Sequence, residues 1–156
     1  MIKKIVFFLI TAVMMVFLAA TQEGVYGQKV TAVSSQEFFE NYLHLLEDGE
    51  TVIIDGRTQR MFSEGHLKNA INIDADDTSL VPLLEQHLDE PLIVVYCTTV
   101  RRTTDIVNAL RDMYEGEIMY INDGLRGWKS NGYPVCGISP LSPKEDIEEV
   151  LQNNGQ

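Results

Sequence analysis

The residue of this chain whose type and setting could do chemistry is Cys97. It follows an apolar, strand-like run, Leu92–Tyr96, and precedes a short polar loop that opens a predicted helix. At such a junction several backbone N–H groups lack intrahelical partners, and the helix dipole adds positive partial charge. Both favour thiolate over thiol, and two arginines of the same loop, Arg101 and Arg102, act in the same direction. The sequence therefore predicts a cysteine nucleophile that is active near neutral pH.

Strand-like and helical segments alternate along the chain. Five short runs rich in β-branched residues predict strands: Lys29–Val33, Thr51–Ile54, Ala70–Ile73, Leu92–Tyr96 and Glu117–Ile121. Between and after them the pattern predicts a helix capped by Ser34 or Ser35 and ended by Gly49, followed by helical segments over Thr58–Ser63, Ser79–Leu88, Thr103–Tyr114 and Gly124–Ser130.

This alternation predicts an α/β fold with a central parallel sheet, right-handed crossovers and helices on both faces. In such sheets ligands bind beyond the carboxyl ends of the strands. Cys97 lies directly after a predicted strand. The topology and the chemistry therefore point to the same place.

Length and composition indicate one globular domain, which we place at residues 28–138. The chain has 156 residues and is 45% hydrophobic, enough to bury a core without cross-links. Its formal net charge of −11 argues against a nucleic-acid partner, because so acidic a chain repels phosphate backbones. Residues 139–156 form an acidic tail, for which we expect a short helix that docks through Ile147, Val150 and Leu151.

The first 27 residues have the pattern of a secretory signal peptide. Two lysines give a basic start, residues 5–20 are apolar apart from Thr11, and small and polar residues follow. Cleavage after Ala20 and cleavage after Gly27 are both open. Retention as a membrane anchor is the competing interpretation, although the apolar stretch is short for a span of about 20 residues. We expect an exported product, periplasmic or secreted, with no stable membrane span after cleavage.

Export would place the two cysteines, Cys97 and Cys136, where disulfides can form. A bridge between them would block Cys97 as a nucleophile. Two interpretations of Cys136 stay open: a free thiol without a role, and a resolving thiol for Cys97. His44 and His87 do not combine with the cysteines into a metal-ligand spacing, so we expect neither a metal nor a cofactor.

Five separate blocks of the sequence resemble a single-domain rhodanese. They occur in the order and at the spacing of that family and extend from about Thr31 to Val135. The blocks are Val52–Arg57, Glu64–Ile73, Val95–Cys97, Asn122–Trp128 and Gly132–Val135.

The resemblance implies sulfurtransferase chemistry. In this family the cysteine takes a sulfane sulfur from a small anionic donor such as thiosulfate, or from a persulfide, and holds it as a persulfide. It then passes the sulfur to a thiophilic acceptor such as cyanide or a thiol, which includes the thiol of a partner protein. This is covalent catalysis that divides one transfer into two steps. By resemblance, Cys97 is the catalytic residue.

The resemblance places donor binding in the loop after Cys97. Backbone N–H groups of this loop would surround the sulfur and stabilise the thiolate, the persulfide and the departing sulfite-like group. Arg102 would bind the anionic donor, whereas Arg101 is either a second cation of the site or a solvated charge at its rim. Thr103 would act as a helix cap or as a hydroxyl donor to the sulfur. The expected donor-binding residues are Thr98, Thr99, Val100, Arg101, Arg102 and Thr103.

Three further motif residues are expected to support the site. Asp55 and Arg57 resemble the family's Asp-x-Arg and would form a partly buried pair or bind backbone groups near the loop, with direct involvement in catalysis as the alternative. His66 is expected to form a hydrogen bond within its own turn. A thiolate that is already ionised by its loop needs no histidine base.

Two positions differ from the usual family pattern. Val100 stands where many members have glycine, so either the loop takes another path or Val100 keeps an ordinary negative φ. Asp123 stands where relatives often have the first of two glycines, and we expect it to affect turn geometry more than chemistry. The related phosphatase site has its arginine one residue further on, where this chain has Thr103. The tighter loop predicts a fit to sulfur rather than to phosphate.

The sequence is also compatible with two other functions. Cys97, with or without Cys136, could serve a periplasmic thiol-redox or persulfide-carrier protein. The fold could also be a non-catalytic, rhodanese-like binding module. The presence of both Cys97 and Arg102 favours an enzyme over the binding module.

Overall fold

The structure is a computed structural model of the chain, and it describes residues 28–137. The predicted signal peptide over residues 1–27 and the predicted tail helix within residues 139–156 lie outside the described residues. Over the range that is described, no helix is both long enough and apolar enough to cross a membrane.

Five parallel strands form one sheet. They are β1 (Val30–Val33), β2 (Thr51–Asp55), β3 (Ile71–Asn72), β4 (Leu92–Tyr96) and β5 (Glu117–Ile121). Their order across the sheet is β1-β5-β4-β2-β3, and every neighbouring pair is parallel. The predicted parallel α/β architecture is confirmed. Because β4 lies in the middle, the chain leaves it at the centre of the carboxyl edge of the sheet.

The helices are α1 (Ser35–Asn41), α2 (Gln59–Ser63), α3 (Leu80–Leu84), α4 (Arg101–Arg111) and α5 (Gly124–Ser130), with 3-10 turns over Leu43–Leu46 and Glu85–His87. The hydroxyl of Ser34 caps α1 by accepting a hydrogen bond from the amide of Glu37 at 3.1 Å. The first predicted helix is interrupted at Tyr42, where φ is −126°, and the predicted helix over Ser79–Leu88 is divided between α3 and a 3-10 turn.

The start of α4 differs from the prediction in a way that matters for the site. Thr103 was expected to begin this helix, whereas α4 begins at Arg101. Val100 occupies the cap position, and its carbonyl accepts the first helical hydrogen bond, from the amide of Thr104 at 3.0 Å. The arginines therefore belong to the first turn of the helix and not to the loop before it.

The two faces of the sheet carry separate cores, because successive strand residues point to opposite sides. Val94 and Tyr96 of β4 belong to the core that contains Phe38 of α1 and Trp128 of α5. The residues between them, Ile93 and Val95, belong to a second core with the following side chains of α3 and α4: Leu84, Ile106, Val107 and Leu110. Both faces of β4 are thus buried, and the strand provides a rigid base for Cys97.

Candidate active site

Cys97 is the first residue after β4 and is only 3% exposed. Residues 98–100 connect it to α4, so the cysteine lies at the carboxyl edge of the sheet beside the start of a helix. This is the place that the sequence predicted. Because Cys97 is so little exposed, a reacting group must be small or narrow to reach its sulfur.

The amino end of α5 holds the backbone after Cys97. The amides of Leu125 and Arg126 donate hydrogen bonds to the carbonyls of Cys97 and Thr98, at 2.8 and 3.0 Å. Gly124 has a φ of +58°, and a Cβ at this position would collide with the carbonyl oxygens of Cys97 and Thr99. Only glycine permits this close approach. The loop is therefore fixed through its carbonyl groups.

The amides of the same loop have no such partners. Within residues 28–137, no backbone hydrogen bond of a turn, loop or cap is donated by the amides of residues 98–102. The amides of Arg101 and Arg102 belong to the first turn of α4, where no intrahelical acceptor exists. A row of N–H groups without a backbone acceptor thus follows Cys97.

Two buried hydroxyl groups, one in the loop after Cys97 and one in the first turn of α4, also lack a partner. The Oγ1 atoms of Thr98 and Thr103 are buried and form no hydrogen bond, and Thr103 is 0% exposed. Leaving a buried hydroxyl unsatisfied costs about 1–3 kcal/mol, so such groups are exceptional in folded proteins. The expectation that Thr103 caps a helix was wrong, because Thr103 lies inside the first turn of α4. Its hydroxyl remains a candidate donor to the sulfur.

Val100 keeps an ordinary backbone conformation, with φ −135° and ψ −17°. The loop therefore does not need positive φ at the position where relatives often have glycine. Val100 is 38% exposed. Its side chain lies at the surface, on the outside of the loop that holds Cys97.

Arg102 and Arg101 contact the carboxylate of Asp76, a residue to which no motif of the sequence points. Nε of Arg102 donates to Oδ2 of Asp76 at 2.8 Å, and a guanidinium nitrogen of Arg101 lies 3.7 Å from the same oxygen. The hydrogen bond from Arg102 lowers the pKa of Asp76. In return, Asp76 raises the pKa of Arg102, with smaller contributions in the same direction from Asp74 and Cys97. Both arginines are thus neutralised in part by one side chain.

Asp55 and Arg57 form a buried pair at the end of β2. Nε of Arg57 donates to both carboxylate oxygens of Asp55 at 2.9 and 3.0 Å, and a terminal nitrogen of Arg57 donates to Asp55 Oδ2 and to the carbonyl of Gly65 at 2.6 Å each. Burial acts to lower the pKa of Arg57, and the hydrogen bonds and charge of Asp55 outweigh it, so the pKa is raised. The side chains are 0% and 5% exposed. The pair therefore ties the end of β2 to the turn at Gly65.

Tyr96 extends this buried cluster. Its hydroxyl accepts a hydrogen bond from the amide of Leu67 at 3.0 Å. Burial, together with the charge and hydrogen bonding of Asp55, raises the pKa of Tyr96 well above the ordinary value. Tyr96 therefore stays protonated and connects β4, the strand that carries Cys97, to the Asp55–Arg57 pair.

His66 and Cys136 lie together in an antiparallel bridge. The amide of His66 donates to the carbonyl of Cys136 at 2.7 Å, and the reciprocal hydrogen bond is 2.8 Å long. Nδ1 of His66 donates to the carbonyl of Phe62 at 2.9 Å, and the two rings stack with centroids 3.8 Å apart. Both cysteines are free thiols. These contacts commit His66 to its turn.

Asp123 acts on the geometry of α5. Its carboxylate accepts hydrogen bonds from the amide and the hydroxyl of Ser35, both at 2.7 Å. A Cβ at Gly127 would collide with the same carboxylate. Asp123 thus joins the start of α1 to the start of α5, the helix that holds the Cys97 loop. No cluster of three metal-ligating side chains occurs in the described part of the chain.

Comparison with known proteins identifies relatives of limited identity. The chain is 28% identical over 89 residues to an uncharacterised protein of Buchnera aphidicola, an alignment that covers 54% of this chain and 60% of that protein. It is 27% identical over 93 residues to the uncharacterised protein YibN of Escherichia coli, covering 58% of this chain and 64% of YibN. The chain thus spans about three fifths of the length of these curated relatives.

Solved structures share the fold. The Alr3790 protein of Anabaena is 26% identical, with a TM-score of 0.53, and the match covers 72% of this chain and 85% of that chain. A thiosulfate sulfurtransferase of Pseudomonas aeruginosa is 18% identical, with a TM-score of 0.56, covering 69% of this chain and 20% of that chain. The family model described as a rhodanese-like domain matches residues 39–131, more than half of the chain. The protein therefore belongs to the rhodanese-like domain family.

Proposed function

We propose that this protein is a sulfurtransferase in which Cys97 carries the transferred sulfur as a persulfide. The observation that supports it best is the arrangement around Cys97: uncommitted backbone amides at residues 98–102 and two buried hydroxyl groups, on Thr98 and Thr103, that have no partner. These donors suit a bound anion, because charge-assisted hydrogen bonds offset the cost of leaving donors unsatisfied.

The reaction proceeds in two displacements. The Cys97 thiolate attacks the sulfane sulfur of thiosulfate, the S–S bond of the donor breaks, and sulfite leaves with the bonding electrons. Cys97 then holds a persulfide anion. An acceptor such as cyanide attacks the outer sulfur, the S–S bond to Cys97 breaks, and thiocyanate leaves while the thiolate is regenerated. A thiol acceptor, including the thiol of a partner protein, takes the sulfur in the same way.

The same groups around Cys97 would bind the donor and stabilise its charge. The amides of residues 98–102 and the hydroxyl of Thr103 stabilise negative charge on the attacking, transferred and leaving sulfur. Arg102, in the first turn of the helix that follows the Cys97 loop, attracts an anionic donor. The resemblance of the fold to a thiosulfate sulfurtransferase of Pseudomonas aeruginosa agrees with such a donor.

Cys136 is a poor second thiol for a redox pair. It is half-buried, and its burial raises the pKa of its thiol, an effect that the charge of Lys68 offsets only in part. A resolving cysteine needs a ready thiolate. These observations favour sulfur transfer by Cys97 alone over a thiol-redox cycle.

We place the enzyme outside the cytoplasm, either periplasmic or secreted. The support is the sequence pattern of residues 1–27, a basic start followed by an apolar stretch and small residues. Mass determination of the protein after expression from the full chain tests this placement. A mature amino terminus after Ala20 or Gly27 is the expected result, and retention of Met1 in the purified protein contradicts it.

The activity is tested by thiocyanate formation from thiosulfate and cyanide. We expect turnover by the wild-type protein and by Cys136→Ser, and none by Cys97→Ser. Cys136→Ser is the matched control, because it removes the other thiol of the chain by the same substitution. Loss of turnover in Cys136→Ser with activity kept in Cys97→Ser would contradict the proposal.

A further inference from the structure

Asp76 is paired with the two arginines, Arg102 and Arg101, that would attract an anionic donor. Its Oδ2 atom accepts the hydrogen bond from Nε of Arg102 at 2.8 Å and lies 3.7 Å from Arg101. The side chain of Arg102 is 22% exposed and that of Asp76 is 49% exposed. Arg102 also lies against Met61, with a guanidinium nitrogen 4.0 Å from its sulfur. The more buried of the two arginines is thus paired with a carboxylate of the chain itself.

The scaffold fixes Asp76 in this place. The loop after β3 is bound to the end of β2 through the amide of Ala75, which donates to the carbonyl of Gly56 at 3.3 Å. Gly56 in turn donates to the carbonyl of Tyr96 at 2.8 Å, next to Cys97. The carboxylate of Asp74 accepts from the amide of Asp76 at 3.1 Å. Asp76 is therefore carried on the same framework as the cysteine.

From these contacts we infer that Asp76 is a specificity-determining residue that disfavours doubly charged sulfur donors. The inference rests on the proposed sulfurtransferase function and assigns its preferred donor class: hydropersulfides, R–S–SH, which react faster than thiosulfate. Thiosulfate brings two negative charges to a pair of arginines whose field Asp76 already cancels in part. A hydropersulfide carries at most one negative charge on the transferred group and depends less on those arginines.

The step with the preferred donor is a simple displacement. The Cys97 thiolate attacks the outer sulfur of R–S–SH, the S–S bond of the donor breaks, and the thiolate R–S⁻ leaves with the bonding electrons. The proton stays on the transferred sulfur, so Cys97 becomes Cys–S–SH and the total charge is unchanged. No oxidant or reductant is needed.

The test compares two donors on the same protein. Rates of persulfide formation on Cys97 are measured by intact mass with thiosulfate and with 2-hydroxyethyl hydropersulfide, and their ratio is taken. In Asp76→Asn we expect this ratio to shift about fivefold toward thiosulfate, through a lower half-saturating thiosulfate concentration, as expected for loss of one exposed ion pair. Asp76→Glu, which restores the charge, is expected to return the ratio toward that of the wild type.

Asp77→Asn is the matched control, because it removes an equal charge one residue away. The Asp77 carboxylate accepts a hydrogen bond from the amide of Ser79 at 2.7 Å rather than from an arginine. In Asp77→Asn the ratio of the persulfide-formation rates with the two donors should equal that of the wild type. An unchanged ratio in Asp76→Asn, or an equal shift in Asp77→Asn, would overturn the inference while sulfur transfer itself persists. If the wild-type protein took sulfur from neither donor, both the inference and the proposed function would fail.

Discussion

Two aspartate–arginine pairs lie near the carboxyl edge of the sheet, and they differ in burial. Asp55 and Arg57 share three hydrogen bonds through their side chains and are almost completely buried. Asp76 shares a single oxygen between Arg102 and Arg101, with about half of its side chain exposed. An aspartate and an arginine thus form a buried pair in one place and a partly exposed pair in the other.

The difference in burial assigns different roles to the two pairs. Opening the Asp55–Arg57 pair would leave an uncompensated charge in the interior, so we propose that this pair belongs to the scaffold. Water and ions can replace either partner of the exposed Asp76–Arg102 contact at little cost. Only the exposed pair can therefore give way to an anionic donor. Four predictions test this division, from the largest expected effect to the smallest.

Removing the buried carboxylate should strongly destabilise the fold. Asp55→Ala leaves the Arg57 guanidinium buried and unpaired, and we expect a loss of about 3–5 kcal/mol in the free energy of unfolding. Urea denaturation followed by far-UV circular dichroism measures it. The double variant Asp55→Ala/Arg57→Met removes both charges and should recover most of the loss. A midpoint of unfolding in Asp55→Ala equal to that of Asp76→Ala would refute the division of roles.

Removing the arginine of the exposed pair should affect donor use rather than stability. Arg102→Ala is expected to lower kcat/KM for thiosulfate about tenfold, the loss of one charge-assisted contact to the donor. Its urea midpoint should stay close to that of the wild type, because the side chain is partly exposed. Steady-state thiocyanate formation and denaturation on the same preparation check both parts. A large drop in the urea midpoint of Arg102→Ala with unchanged kcat/KM for thiosulfate would mean that Arg102 supports the fold and not donor binding.

The hydroxyl of Tyr96 should contribute a smaller amount to the buried cluster. Tyr96→Phe leaves the amide of Leu67 without its acceptor, and we expect a loss of about 1–2 kcal/mol in the free energy of unfolding. Urea denaturation at neutral pH measures this change. Tyr120→Phe, in the neighbouring strand β5, is a control that removes a hydroxyl from a less buried site. An equal loss in the free energy of unfolding for the two substitutions would contradict a particular stabilising contribution of the Tyr96 hydroxyl to the buried cluster.

Salt should weaken the influence of the exposed pair. At about 1 M salt the screening length is about 3 Å, so the charge of Asp76 hardly affects a donor at Arg102. We therefore expect the difference in half-saturating thiosulfate concentration between wild type and Asp76→Asn to shrink toward zero as sodium chloride is added. A difference that persists at high salt would show that Asp76 acts through shape rather than charge.

The sequence predicted the parts of the site that depend on local pattern. The apolar run before Cys97 is strand β4, and the polar residues after it open helix α4. These features follow from hydrophobic periodicity, which is a property of neighbouring residues. The helix nevertheless begins at Arg101, two residues before the predicted start at Thr103. The reason is that Val100, exposed and in an ordinary backbone conformation, can precede a helix without a side-chain cap.

The contacts that tune the site could not be predicted in the same way. Asp76 and Arg102 are 26 positions apart in the sequence. They meet only because the loop after β3 is bound to Gly56. Asp123 meets Ser35 across 88 positions. Neither pairing leaves a periodic signal, and each depends on how strands are ordered in the sheet. The close approach of Gly124 to the Cys97 loop likewise follows from packing and not from the local pattern.

The central claim is that Cys97 takes up sulfur covalently. The most direct measurement is the intact mass of the protein after incubation with thiosulfate and removal of the excess. We predict a gain of one sulfur atom, about 32 Da, that is absent in Cys97→Ser and is lost from the wild type when cyanide is added. A wild-type mass that stays unchanged, or a gain that persists in Cys97→Ser, would contradict the account.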